Sequence, residues 1–235
     1  MQYLRLKILL FLTTALIATV YYFCNCHNNS RKISDINIDI SPIDNLYITK
    51  DSIKSTVENM FDFNKKTSRL KNIERDLNLI SYIESAEVYF SVGGKLNLSI
   101  IQREPIARII TNDSMFYIDK NLKYISLSKL FSPNIPVIIG SNWSKNKQYL
   151  IKALHLIKKD NFLYDNVTQI FFDDFNNLKL KLKKYNSEII LGGANNIEKK
   201  FNNLKAFIVR EKSKKLNYEY KHISLQFENQ VVAVK

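Results

Sequence analysis

The chain has 235 residues, 46% hydrophobic and 24% charged, a composition that excludes general disorder and allows one large or two small domains. Its 35 Lys and Arg against 22 Asp and Glu leave a net charge of +13, but no cluster of arginines and aromatics of the nucleic-acid-binding kind accompanies it. Scarce Gly (5) and Pro (4) beside frequent Lys, Asn and Ile fit a diffuse, solvated charge better than a phosphate-binding surface.

The first element is apolar. Ile8 to Phe23 carries no charge, and its 16 positions would span roughly 24 Å as a helix, short of a bilayer core of about 30 Å. Leu4 and Leu6 lengthen the run, and Arg5 and Lys7 can snorkel to headgroups, so the expected transmembrane helix is 4–23 after a cytoplasmic tail of 1–3. Tyr22-Phe23-Cys24 lacks the small residues of a cleavage site, which predicts an uncleaved anchor. Arg5 and Lys7 favour a cytoplasmic N-terminus, against Arg31 and Lys32 beyond the span. Cys24 and Cys26 are separated by one residue, too close for an unstrained mutual bridge, and read as interfacial thiols or an intermolecular link.

After a polar joint at 24–32, Ile36, Ile38 and Ile40 alternate with polar residues as a half-buried strand does. Thr49 can cap a helix with the stripe Ile53, Val57, Met60 and Phe61. A second helix from about Ser68 carries Leu70, Ile73, Leu77 and Ile80. Two strands follow around Gly93-Gly94. A two-residue turn would set apolar against polar along the pair, whereas a three-residue loop, Gly93-Gly94-Lys95, pairs Val92 with Leu96, Phe90 with Leu98 and Val88 with Ile100. The expected unit is β-α-α-β-β with both helices on one side of the sheet, over 33–104.

Gln102-Arg103-Glu104-Pro105 reads as the seam to a second domain, 105–235. Proline cannot donate a ladder hydrogen bond and holds the preceding residue extended, which favours a stiff joint. Beyond it strands dominate: "MFYID" and "YISLS" about an Asn121 turn, Pro136 leading into "VIIG", then "VTQIFF", "LKLKLK", "EIILGG", "HISLQF" and "VVAV". Two helices are expected there, one with Leu150, Leu154 and Ile157, the other with Ile197, Phe201, Leu204 and Ile208. The fold class is α+β: one N-terminal transmembrane helix, the small α+β domain, and a β-rich domain with two helices.

Nothing in this pattern supplies catalysis. His27, His155 and His222 are scattered, and no zinc spacing, nucleophile elbow or phosphate-binding glycine loop occurs. Asp173, Asp174 and Glu188 lack an adjacent acid–base partner and read as turn or surface residues. No enzyme, cofactor or metal is expected. Lys179, Lys181, Lys183 and Lys184 form a basic strand face, solvated or in touch with lipid or an acidic partner. Val231-Val232-Ala233-Val234 is apolar on both faces, and as a sheet edge it would call for a neighbour or a partner strand.

Together these segments resemble the FtsQ/DivIB family of bacterial cell-division proteins. The resemblance lies in the anchor, the helix ending before Ala86-Glu87-Val88, the strand Leu96-Asn97-Leu98, and Gln102-Arg103-Glu104-Pro105-Ile106-Ala107. The later segments "FYIDKNLKYISLS", "IILGGANNIEKKFNNLKAF" and "YKHISLQFENQVVAV" are similar to the form found in Bacteroidota. The resemblance implies a POTRA module beside the membrane, then a β domain, in a non-enzymatic scaffold at the division site. It further implies an inner-membrane protein with most of its chain in the periplasm. FtsB-like and FtsL-like bitopic partners and a share in controlling septal peptidoglycan synthesis follow from the same likeness. Partner capture by strand addition is implied at the last strand, helped by a stretch that stands here as Ser224-Leu225-Gln226-Phe227. Gln226 replaces the family's Arg, removing a charge-assisted contact, while Phe227 keeps the aromatic. The implied partner-binding residues are Gln226, Phe227, Val231, Val232, Ala233 and Val234. The alternative reading is an export or assembly factor whose POTRA unit binds extended peptides.

Overall fold

The computed structural model describes residues 2–30, 35–44, 46–60, 70–91, 94–213, 220–227 and 230–235. The protein is α+β, with an N-terminal apolar helix and a sheet-rich C-terminal region. Helix α1 (Gln2–Ser30) contains the stretch Arg5–Cys26, whose 22 residues are long and apolar enough to cross a membrane. The hydroxyls of Thr13, Thr14 and Thr19 donate to carbonyls three residues back, so none needs water within that stretch. Cys24 and Cys26 are exposed free thiols, and two positions along a helix set them on nearly opposite faces.

The chain divides into two compact units, the first holding Met1–Asp44 and Ile48–Gln102, the second Asn45–Tyr47 and Arg103–Lys235. In the first, β1 (Ile36–Ser41), α2 (Lys50–Met60), α3 (Leu70–Asn78), β2 (Ile83–Phe90) and β3 (Leu96–Gln102) build a three-stranded sheet in the order β1-β3-β2. β1 runs parallel to β3 and β2 antiparallel to it. The Thr49 hydroxyl accepts from the Ser52 amide and starts α2, whose Ile53 and Val57 are fully buried. Ile73 and Leu77 do the same for α3, and Met60 stays exposed; Phe61 and Ser68 lie outside the described residues.

The hairpin register differs from expectation by two residues. Phe90 pairs with Leu96, Val88 with Leu98 and Ala86 with Ile100, so the connection spans the five positions 91–95. The Ser91 amide donates to the Lys95 carbonyl and the Gly94 amide to the Ser91 carbonyl, which closes the longer loop. Three and five share the same parity, so both place apolar opposite apolar and the pattern alone does not separate them. Val92 and Gly93, on which the expected pairing relied, lie outside the described residues. The outer edge of β2 is covered by its own helix: the Glu74 carboxylate accepts from the Val88 amide at 2.9 Å and the Asn78 side chain from the Ala86 amide at 3.0 Å.

The second unit adds β4 (Ala107–Ile110), β5 (Met115–Ile118), β6 (Tyr124–Ile125), β7 (Val137–Ile139), α4 (Lys147–Lys159), α5 (Asn161–Asn166), β8 (Val167–Phe172), β9 (Leu178–Leu182), β10 (Tyr185–Gly192), α6 (Ile197–Ser213), β11 (His222–Ser224) and β12 (Val232–Val234). Its nine-stranded sheet runs β12-β11-β10-β9-β8-β7-β4-β5-β6. One row of the covered face is Ile109, Ile138, Ile170, Leu180, Ile189 and Ile223, all buried. The buried stripes of α4 (Leu150, Leu154, Ile157) and α6 (Ile197, Phe201, Leu204, Ile208) join the same core. The six-residue α5 is an addition to the two helices expected here; it is too short to show a helical period, and it starts where Asp160 accepts from the Leu163 amide.

Candidate partner-binding edge

The last two strands build the candidate site. β11 joins β10 in parallel and β12 folds back antiparallel on β11, pairing Ser224 with Val232, Ile223 with Ala233 and His222 with Val234. β12 therefore closes one side of the sheet, with β11 on one flank and no described strand on the other. Alternation turns Ala233 onto the core, where it is half-buried, and leaves Val232 (36%) and Val234 (40%) exposed on the opposite face. Val231 is half-buried against the same core.

Gln226 and Phe227 leave β11 at the end where β10 turns into α6. Gly192 is required there: its φ is +74°, and a Cβ on it would come 2.7 Å from Gln226 Cγ. The buried Tyr149 hydroxyl donates to the carbonyls of Gly192 and Gly193, both at 3.0 Å, and burial pushes its pKa up, so it stays a donor. Lys200 Nζ donates to the Gly193 carbonyl at 2.8 Å, and partial burial lowers its pKa. A cleft of about 260 Å³ opens beside this turn, lined by Asn195, Lys199, Lys200, Asn203, Gln226 and Phe227. Phe227 is 56% exposed, an aromatic with little of its surface buried by the chain itself.

The structure thus brings Gln226 and Phe227 together at one end of β11 and sets 231–234 along its flank. The seam residues lie elsewhere. Gln102 ends the first unit, buried, with its amide donating to the Pro42 carbonyl. Arg103 begins the second, 8% exposed, in a 2.6 Å ion pair with Asp119. Glu104 is exposed and accepts from Lys158, and Pro105 is buried.

The Lys179–Lys181–Lys183 stripe is not uniform. Lys179 is held by Glu188 at 2.6 Å with Asp173 at 3.9 Å, whereas Lys181 and Lys183 are exposed. Asp173 also accepts from the amides of Phe175 and Asn177, which order the turn before β9. Sequence reasoning missed the Arg103–Asp119 pair and the Tyr149–Gly192–Gln226 arrangement. The Gly-Gly pair before α6 was the one visible signal of close packing there.

A family model described as FtsQ/DivIB, C-terminal related, matches residues 104–234. No curated protein matches the chain. The match covers more than half of the chain and takes in all nine strands of the larger sheet, so this protein belongs to the FtsQ/DivIB family of bacterial cell-division proteins, whose members are non-enzymatic.

Proposed function

We propose that this protein is a single-pass membrane scaffold of the division machinery, without catalytic activity of its own, that captures FtsB-like and FtsL-like partners by adding a partner strand to β12. The observation that carries the reading is the flank of β12 that no described strand occupies, at the end of a nine-stranded sheet and next to the exposed Phe227. A strand in that position offers a row of backbone donors and acceptors to an incoming chain, and side chains on alternate positions then select the partner. In this reading α1 anchors the chain in the inner membrane with its N-terminus in the cytoplasm. The first unit is a POTRA module aiding recruitment, 102–105 is the seam, and the periplasmic assembly helps control septal peptidoglycan synthesis.

The alternative, an export factor binding extended peptides on its POTRA unit, is less well supported. The β2 edge, one of two such a peptide could join, already has its Ala86 and Val88 amides bound by α3. A fluorescent fusion at native expression tests the choice. Midcell localisation, with filamentation on depletion, is expected; a uniform envelope signal with normal division would reject the division role. Phe227→Ala is expected to weaken the partner complex by more than about 1 kcal/mol, as loss of an interface aromatic does. Titration calorimetry giving an unchanged affinity would remove Phe227 from the interface.

A further inference from the structure

The face of the nine-stranded sheet turned away from its core carries an apolar row that is exposed or half-buried among the described residues. Strand register aligns Met115, Ile110, Ile139, Phe171, Ile190 and Val232 on it, crossing from β5 to β12, with the buried Ser224 interrupting the row at the β11 position between Ile190 and Val232. Met115 (45%), Ile139 (43%) and Val232 (36%) are exposed, and the other three half-buried. Lys179 fills the β9 position, with its ammonium neutralised by Glu188 and 5.9 Å from the Phe171 ring, so its stem continues the row.

The parallel row two residues along each strand carries two cations, Arg108 and Lys181, and one carboxylate. It runs through Arg108, Val137, Gln169, Lys181 and Glu188, and that one carboxylate is already bound to Lys179. The half-buried Arg108 guanidinium donates to the hydroxyls of the buried Tyr117 (2.8 Å) and of Ser132 (2.7 Å), and its buried Nε has no acceptor among the described residues. Among the described residues neither Arg108 nor Lys181 has a carboxylate partner.

We propose that this face binds an amphipathic helix of a partner protein, its apolar stripe laid across the strands along the row and its acidic flank over Arg108 and Lys181. The spacing suits a helix: strands lie about 4.8 Å apart and a helix advances about 5.4 Å per turn, so one apolar residue per turn meets one per strand. From β5 to β10 the row is about 24 Å long, or some four to five turns. The charge excludes a basic flank, and the single-row width suits a helix stripe better than a broad lipid surface. This binding is separate from strand addition at β12 and does not depend on it.

The full chain in phosphatidylcholine nanodiscs provides the test, with a synthetic helical peptide of about 18 residues carrying a leucine stripe and a glutamate flank. Fluorescence anisotropy is expected to show binding roughly tenfold tighter than for a twin with lysine in the flank, and a roughly tenfold loss in the Ile139→Ser/Phe171→Ser variant. Lys181→Glu, at an exposed site that does not threaten folding, is expected to reduce or reverse the preference for the acidic peptide. Equal binding of the two peptides, or a preference unmoved by Lys181→Glu, would overturn the proposal. So would phosphatidylglycerol vesicles binding through this face while the acidic peptide does not. Since Ile139 and Phe171 lie far along the sheet from β12, partner pulldown through β12 should survive their substitution, which keeps the two readings separable.

Discussion

Deletion of residues 231–235 is expected to abolish co-purification of an FtsB-like partner while the rest of the second unit stays folded. β12 is a three-residue strand at the sheet edge, and its Val232 and Val234 are exposed. Only Val231 and Ala233 lean on the core, half-buried, so their loss leaves Ile223, Leu225 and the α6 stripe in place. A strand-added partner would instead lose its whole backbone ladder, an effect of about a hundredfold or more, equivalent to at least about 2.7 kcal/mol. Ala233→Pro makes the same point without shortening the chain, since proline removes a ladder donor and is poorly tolerated within a paired strand. Undiminished pulldown by the truncated chain, with an unchanged circular dichroism spectrum, would end the strand-addition reading.

The second large effect is on stability. Arg103 and Asp119 form a buried pair, with side chains 9% and 3% exposed, and Asp119 also accepts from the amides of Asn121 and Lys123 in the β5–β6 turn. Removing one partner leaves the other charged and desolvated, so Arg103→Ala is expected to cost about 3–5 kcal/mol. Asp119→Asn keeps an acceptor for the two turn amides and removes only the charge. The double change Arg103→Met/Asp119→Asn removes both charges while keeping an acceptor for the turn amides, and its cost should fall below that of Arg103→Ala. Urea unfolding followed through Trp143, the single tryptophan, which packs near Phe116 in this unit, reads all three.

Acid should erase much of the difference. Burial raises the Asp119 pKa, but the Arg103 hydrogen bond, the Lys123 and Asn121 amides and the Arg103 charge together outweigh it, and the net shift is downward. A carboxylate whose folded pKa is depressed contributes stability above its unfolded value of about 3.9, and that contribution is lost as pH falls through the folded value. The gap between the native protein and Asp119→Asn should therefore narrow below about pH 4. A gap that is constant from pH 7 into acid would show that the pair's charge does not stabilise the fold.

Both expectations rest on features of different legibility. Leu178, Leu180 and Leu182 alternate with lysines, and Ile197, Phe201, Leu204 and Ile208 recur at helical spacing; all seven are buried. A strand or helix carries its buried face as a local period, so neighbouring residues suffice to reveal it. The apolar run of "VVAV" was legible for a related reason: its residues are consecutive, whereas its place at the sheet edge came from the strand order.

Other features were not legible because they depend on residues far apart in the chain. Arg103 and Asp119 each look like an ordinary surface charge until β4 and β5 pair and bury both. The hairpin at 91–95 kept the expected parity but not the expected length, since alternation constrains register only modulo two. The row from Met115 to Val232 takes one residue from each strand it crosses, so no window of sequence contains it. The amino-acid sequence by itself determined the apolar N-terminal helix, the faces of the helices and strands, and the order of the elements, because burial acts on each element through its own periodicity. Only the tertiary structure decided the strand order, the partner of each buried charge and the place of β12 at the edge of the described sheet, because these depend on which distant segments lie side by side.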